Sequence, residues 1–156
     1  MIEFEQAAVS GRLQATTLTI SEPRVAVIGL NGSGKSTLAR LINGLVEPDA
    51  GRVLVAGHDT QREGRLVRQK VGFLFTDPSA QLVMPTVIED ISLSLRNIYK
   101  DKAKRRIAAL AALDRFGLVE LADRSVYQLS GGQRQLVAMV SVLAAEPKIV
   151  VADEPT

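Results

Sequence analysis

The stretch that decides the fold is Gly29-Leu30-Asn31-Gly32-Ser33-Gly34-Lys35-Ser36, followed directly by Thr37. It fits the pattern G-x-x-x-x-G-K-[ST], in which glycines let the backbone curl so that successive N–H groups point at phosphate oxygens. A helix that begins at the loop adds its free N–H groups and its dipole to the same anion site. We therefore predict that the residues from Asn31 to Thr37 bind the phosphates of a nucleotide, and we call residues 29–37 the phosphate loop.

Two side chains of the phosphate loop have expected chemical roles. Lys35 is predicted to reach the β- and γ-phosphates of ATP, and the Ser36 hydroxyl is predicted to bind Mg²⁺. The alternative is a glycine-rich turn that matches the pattern by chance. The context favours the phosphate site, because the apolar run 25–28 before the loop indicates a buried strand and apolar residues at helical spacing follow it.

Strand patterns and helix patterns alternate along the chain. The predicted strands are 13–20, 24–30, 52–55, 71–75 and 149–152, and the apolar runs within 24–30 and 149–152 indicate burial on both faces. The predicted helices are 35–45 with its end at Asn43-Gly44, 87–95, 105–116 with a stop at Gly117, and 133–145. This alternation predicts an α/β fold with a mainly parallel core sheet.

Two adjacent acids follow the last predicted strand. Asp153 and Glu154 lie at the carboxyl end of that strand, the edge where open α/β sheets bind ligands. One carboxylate there can hold Mg²⁺ and a second can polarise the attacking water. The alternative is a pair of solvated acids that begins a loop. With the phosphate loop present, we predict Asp153 as a metal ligand and Glu154, together with Lys35, as catalytic.

The bulk composition excludes several classes of function. The 156 residues contain no cysteine, which excludes disulfides and thiolate metal sites and fits a reducing compartment. A net charge of +2 and the absence of tryptophan do not indicate a nucleic-acid surface, so no nucleic-acid partner is expected. The apolar stretch 136–152 is interrupted by Glu146-Pro147-Lys148, so no segment is predicted to span a membrane.

A third motif makes the sequence resemble a known family. Leu129-Ser130-Gly131-Gly132-Gln133 precedes the predicted helix 133–145, and with the phosphate loop upstream and 150–156 downstream the order resembles the ATP-binding cassette (ABC) ATPases. Ser130 and the two glycines offer backbone N–H groups at a helix start and hence a second anion site. In the family this turn, residues 129–133, faces the nucleotide of the other subunit, which implies that Ser130, Gly131, Gly132 and Gln133 contact ATP. A local helix cap, with Ser130 and Gln133 as a capping box, is compatible with that role.

The resemblance implies a fold and a domain plan. The fold class is α/β: a P-loop NTPase core with a mainly parallel sheet, an N-terminal antiparallel β part and an inserted α-helical subdomain. The chain is interpreted as one ABC ATPase domain over 1–156, with its core at about 1–80 and 130–156 and the helical subdomain at about 81–129. The family's last strands are absent, so the domain is expected to be a C-terminally incomplete piece of a longer polypeptide.

The middle segment resembles one particular group within this family. Residues 75–82 and 85–90 are similar to the ATPase subunits of energy-coupling-factor importers, which take up vitamins and transition-metal ions such as biotin, cobalt and nickel. This implies a second ABC ATPase subunit, identical or different, and integral membrane transport subunits as partners, with the chain peripheral on the cytoplasmic face of the membrane. In relatives this stretch leads into the helical subdomain, whose groove receives a coupling helix of the membrane protein. The spacing of Val87, Ile91 and Leu95 favours an ordinary helix core instead.

Two positions depart from the family pattern. Thr76 stands where a glutamine normally contacts Mg²⁺ and the attacking water, and Thr76 is therefore predicted as a metal ligand of shorter reach; Gln81 is judged a poor substitute. No aromatic residue lies at about 9–12, where one normally stacks on adenine. The only histidine, His58, is interpreted as a surface-loop residue.

The main functional hypothesis is an ATP-hydrolysing subunit that powers an importer by dimerising around ATP. An ATP-binding switch without turnover is the alternative, supported by Thr76. A soluble ABC ATPase acting on nucleic acid is disfavoured, because fewer than a hundred residues separate Lys35 from Ser130 and no heptads lie between them. The basic run from Lys100 to Arg106 indicates a solvated helix start or, alternatively, a patch for anionic lipid headgroups.

Overall fold

The computed structural model describes residues 1–154. Pro155 and Thr156, which belong to the predicted motif 150–156, lie outside the described residues. The chain forms two compact units, the first made of Met1–Phe73 with Lys148–Asp153 and the second of Leu74–Pro147 with Glu154. The strands are β1 Ile2–Val9, β2 Leu13–Ile20, β3 Ala50–Val55, β4 His58–Asp59, β5 Val71–Leu74 and β6 Ile149–Ala152. The helices are α1 Lys35–Ile42, α2 Gly64–Lys70, α3 Val87–Ser94, α4 Lys102–Asp114 and α5 Gly131–Leu143.

An antiparallel sheet forms much of the first unit. Its strand order is β2-β1-β3-β4, with Ile2 opposite Ile20 on one side and opposite Val55 on the other. Alternate side chains of β1 point inward, so Ile2 and Phe4 are buried. They pack with Leu41 and Ile42 of α1 and with Val53 and Val55 of β3. The predicted N-terminal antiparallel part is thereby confirmed, although β1 itself was not predicted from the sequence pattern.

The second sheet of the described chain consists of β5 and β6. Both strands were predicted, but β5 ends at Leu74, one residue early, and β6 is not buried on both faces. Ile149 and Val151 pack against the core of the first unit, whereas Val150 is 45% exposed. The prediction that 149–152 is fully buried is therefore wrong within the described residues, because only one face of β6 is covered.

The predicted strand 24–30 is also wrong. Residues 25–30 form no strand, and Val25, Val27 and Ile28 are 52%, 50% and 92% exposed. The apolar run indicated a strand covered on both faces, but strand formation needs backbone partners. Within residues 1–154, β5 pairs with β6 and no described segment pairs with 25–28. Strand formation at residues 24–30 was therefore harder to predict from the sequence than the phosphate loop.

The second unit is built from three helices. Val87, Ile91 and Leu95 are at most 2% exposed, so the core interpretation of this stripe is confirmed. They pack with one face of α4, where Ala109 and Leu113 are buried, and with Val137, Ala138 and Val140 of α5. Helix α4 starts three residues before its predicted start, because Asp101 caps it by accepting a hydrogen bond from the Lys104 amide at 2.8 Å. Helix α4 ends at Asp114, two residues before its predicted end, and Gly117, with φ +67°, lies in the turn that follows.

Two local features differ from the sequence predictions. Helix α1 ends at Ile42, so Leu45 lies beyond the helix and is 45% exposed, whereas Asn43 and Gly44 end α1 as predicted. The sequence reading contained no helix at α2, which buries only Val67 and so lacks a clear apolar period. No helix in the described part of the chain is long and apolar enough to cross a bilayer.

The prediction that His58 is a surface-loop residue is wrong. It lies in β4 and is half-buried, with Nδ1 3.0 Å from Glu63 Oε1 and Nε2 2.6 Å from Lys70 Nζ. The hydrogen bond from His58 lowers the pKa of the Glu63 carboxyl below its ordinary value. His58 therefore links β4 to both ends of α2, a local contact that residue spacing did not reveal.

Candidate functional site

The phosphate loop has the backbone that its glycines were predicted to allow. Gly32 and Gly34 take φ values of +78° and +90°, the left-handed region that other residues adopt at a cost. A Cβ at Gly34 would lie 2.7 Å from the carbonyl oxygen of Arg12, at the turn between β1 and β2. Gly34 is thus required both for its conformation and for the close approach of this turn, which sequence reasoning did not find.

The start of α1 has no side-chain cap. Gly34 occupies the N-cap position without a side-chain hydrogen bond, and the first helical bond runs from the Leu38 amide to the Gly34 carbonyl at 2.8 Å. The N–H groups before Leu38 have no partner inside the helix, because the first turn of any helix leaves its donors unused. The loop residues Asn31, Gly32 and Ser33 are exposed. Unused N–H donors and a helix dipole are the groups that can bind an anion.

Lys35 is folded back over the phosphate loop. Its ammonium donates to the carbonyl oxygens of Gly29 and Leu30 at 2.9 and 3.0 Å. The side chain therefore connects the start of α1 to the first two residues of the phosphate loop. A cation beside unused N–H donors attracts an anion.

Ser36 and Asp153 meet although 117 residues separate them. The Ser36 hydroxyl donates to Asp153 Oδ1 at 2.8 Å, and Asp153 is only 5% exposed at the end of β6. Arg40 Nη2 lies 3.6 Å from Asp153 Oδ2. Asp153 is therefore not a solvated loop acid, and the alternative interpretation is wrong for this residue.

Arg40 was missed by sequence reasoning, although a signal existed. Ser36 and Arg40 are four residues apart on α1 and thus lie on one helix face. A carboxylate that meets Ser36 is within reach of Arg40 as well. Arg40 compensates the charge of a buried carboxylate, which is costly to bury alone.

The remaining predicted side chains lie in the second unit. Glu154 is exposed with φ +51°, a conformation that residues other than glycine rarely adopt. Thr76 is exposed just after β5. The Gln81 carboxamide accepts a hydrogen bond from the Phe75 amide at 3.3 Å and donates to the Ala138 carbonyl at 3.5 Å. The Gln81 side chain therefore connects the backbone at Phe75 to the backbone at Ala138 within the second unit.

The turn 129–133 begins α5 as a complete capping box. The Ser130 hydroxyl accepts from the Gln133 amide at 3.3 Å, and Gln133 Oε1 accepts from the Ser130 amide at 3.0 Å. The local cap is confirmed. Gly131 and Gly132 are exposed, and a Cβ at either would meet nothing within 4 Å. These two glycines leave open space at a helix start that neither the conformation nor the packing of this unit requires.

Comparison with known proteins defines the class. The ABC transporter family profile matches residues 13–156. The chain is 47% identical over 159 aligned residues to the biotin transport ATP-binding protein BioM of Rhizobium etli, covering 99% of this chain and 70% of that protein. The chain therefore belongs to the ABC transporter family of ATP-binding proteins.

Solved structures agree with this assignment. The cbiO1 protein of Clostridium perfringens, part of the ABC transporter complex cbiONQ, matches with a TM-score of 0.79 and 32% identity over 97% of this chain and 64% of that one. A dimeric ATP-binding cassette in a post-hydrolysis state bound to ADP and Pi matches with a TM-score of 0.86 and 32% identity over 100% of this chain and 75% of that one. The α/β P-loop fold class is confirmed, and the chain spans roughly two thirds of the length of these relatives.

Proposed function

We propose that this chain binds MgATP in the phosphate loop and serves as the ATP-hydrolysing subunit of a membrane importer for a vitamin or a metal ion. The observation that carries the proposal is the hydrogen bond between Ser36 and the buried Asp153. It joins the start of α1 to the end of β6, so that phosphate donors and a carboxylate share one site in the first unit. A site of this composition fits a nucleotide polyphosphate with its cation.

The donor set fits Mg²⁺. Hydroxyl and carboxylate oxygens are the ligands that this hard cation prefers, and Ser36 and Asp153 offer one of each. Within residues 1–154 no group of three His, Cys, Asp or Glu side chains forms a cage of its own, which suits a cation that takes its other ligands from phosphates and water. Thr76 is proposed as a further ligand. Bound Mg²⁺ would neutralise charge on the phosphates.

Each residue of the phosphate loop has a proposed part. The amides and short side chains from Asn31 to Gly34 surround the phosphates, together with the N–H groups of Ser36 and Thr37 at the start of α1. Lys35 supplies the positive charge, and its present acceptors are neutral carbonyls that a phosphate oxygen would outcompete. Glu154, directly after the metal-binding carboxylate, is proposed to orient the attacking water.

The capped turn supports a dimeric arrangement. Ser130, Gly131, Gly132 and Gln133 present an exposed helix start with room around both glycines. We propose that it contacts the nucleotide held by a second ABC subunit, which would explain glycines that the fold of this unit does not need. The likeness to a dimeric cassette and to a biotin transport protein supports dimerisation and an importer role.

A nucleotide switch without turnover is the second candidate. Thr76 is shorter than the glutamine common in the family, and the Gln81 side chain is engaged with the backbone of Phe75 and Ala138. Neither residue supplies a long exposed amide at this position. Binding and hydrolysis should therefore be measured separately.

The test is MgATP affinity, measured by titration calorimetry, of the chain and of Lys35→Ala. The variant should bind more than about tenfold more weakly, because it loses a charged hydrogen bond to phosphate. Lys148→Ala, which removes an exposed lysine elsewhere in the first unit, is the matched control. Equal affinity in Lys35→Ala and the control would refute the phosphate-loop assignment. Where the parent hydrolyses ATP, Glu154→Gln should keep binding and lose turnover; binding without hydrolysis in the parent favours the switch.

A further inference from the structure

One segment carries a larger net positive charge than the whole chain. Residues 96–106 contain six cations, namely Arg96, Lys100, Lys102, Lys104, Arg105 and Arg106, against the single carboxylate Asp101. The segment thus carries +5 in a chain whose net charge is +2, so the remaining residues together carry −3. We call residues 96–107 the basic segment. Such a local field attracts anionic surfaces.

Several of these charges are not neutralised within the described residues. The side chains of Arg96, Lys100, Lys102 and Lys104 are exposed and form no ion pair among residues 1–154. Asp101 is occupied as the cap of α4. Arg106 contacts Asp123 at 3.2 Å, but both side chains are more than half exposed. An exposed pair of this kind contributes little, so the segment remains strongly cationic.

Large apolar side chains are exposed within the same segment. Ile98 and Ile107 are 53% and 67% exposed, and Tyr99 is 38% exposed. On α4, Lys104 and Ile107 are three residues apart and lie on the face opposite the buried Ala109 and Leu113. Lysine and isoleucine therefore share one solvent-facing surface of this helix.

We infer that the basic segment binds the anionic headgroups of a lipid bilayer. Lysine ammonium groups meet lipid phosphates, while isoleucine and tyrosine side chains enter the boundary between headgroups and acyl chains. Nucleic acid offers the same negative charge but no apolar layer for Ile98 and Ile107, so a bilayer fits both properties. The inference does not depend on ATP binding, since all of its residues lie in the second unit.

The test is flotation of the chain with vesicles of phosphatidylcholine, alone or mixed with phosphatidylglycerol. The double variant Lys102→Gln/Lys104→Gln should partition about 30-fold more weakly onto the anionic vesicles, from the attraction of two lysines to a charged surface. Arg62→Gln/Arg65→Gln removes two exposed cations from the first unit and is the matched control, with an expected change of less than about twofold. Circular dichroism should show that all variants are folded.

A second comparison tests the apolar contribution. Ile107→Ser should weaken binding about fivefold at constant charge, whereas Leu66→Ser, a change at an exposed leucine of α2, should not. Failure to bind phosphatidylglycerol vesicles, or equal losses in the two double variants, would overturn the inference. Preference for double-stranded DNA over anionic vesicles at equal phosphate concentration would also overturn it, and would assign the segment to nucleic acid.

Discussion

Two helices of this protein begin at glycine-rich turns, yet their first turns are organised differently. Helix α1 follows Gly34, which has φ +90° and provides no side-chain cap. Helix α5 follows Ser130, whose side chain and that of Gln133 satisfy each other's amides. Gly32 and Gly34 of the phosphate loop are required by the backbone, whereas Gly131 and Gly132 have ordinary φ values and open space around them.

This difference shows what each turn can do. At α1 the unused N–H groups and Lys35 leave an anion site within a single chain. At α5 part of the donor set is already satisfied by the capping box, and its glycines have no role inside the unit. The first turn therefore leaves N–H donors unused, whereas the second satisfies part of its donors within the turn itself.

The largest effect is expected at Gly34. Gly34→Ala forces an alanine into the left-handed region and places its Cβ 2.7 Å from the Arg12 carbonyl oxygen. We expect a loss of about 3 kcal/mol in the free energy of unfolding, from strain and steric overlap together, and a loss of ATP binding. Urea denaturation followed by circular dichroism measures the first effect and calorimetry the second.

Gly32→Ala separates the two causes. Gly32 has φ +78°, but a Cβ there would meet nothing within 4 Å. The expected loss is therefore only the conformational cost of about 1–2 kcal/mol. Equal losses at both positions would show that the turn after β1 does not constrain the phosphate loop.

A smaller effect of opposite sign is expected at Gly131. Gly131→Ala removes a flexible residue from the first turn of α5, where a Cβ has free space. We expect a gain of about 0.5–1 kcal/mol in the free energy of unfolding, because alanine restricts the unfolded chain and favours the helix. ATP-dependent dimerisation, measured by sedimentation velocity, should weaken at the same time. A destabilised variant would show that the fold of the unit itself requires this glycine.

The contrast between these turns also explains which parts of the fold were predictable. The phosphate loop, the capping box and the helices α3 and α5 depend on residues a few positions apart, so their spacing in the sequence indicates them. Helix α2 was not predicted, because Val67 is its only buried residue. Strand β1 contains a bulge at Gln6, with φ +50°, which interrupts the alternation that would have revealed it.

Contacts between residues far apart in the sequence were harder to predict. Residues 25–28 have the composition of a buried strand, but strand formation depends on neighbours that no local pattern specifies. Asp153 was predicted from its place after a strand, whereas its ion pair with Arg40 follows only once α1 and β6 are known to meet. The contact between Arg12 and Gly34 likewise depends on tertiary structure.

The smallest predicted effect concerns the support of the phosphate loop. The Asp49 carboxylate accepts a hydrogen bond from the Ser10 amide at 2.6 Å, next to the turn whose Arg12 carbonyl faces Gly34. This hydrogen bond lowers the pKa of the Asp49 carboxyl below its ordinary value.

Because the pKa is lower in the folded chain, Asp49 stabilises the fold above its unfolded pKa of about 3.9, and this contribution disappears as the pH falls through the folded value. Asp49→Asn should therefore unfold at a slightly lower temperature than the parent at pH 7, and the difference should vanish in strong acid. Differential scanning calorimetry across this pH range isolates Asp49, since all other carboxylates are common to both proteins. A difference that does not change with pH would show that the carboxylate charge contributes nothing at this position.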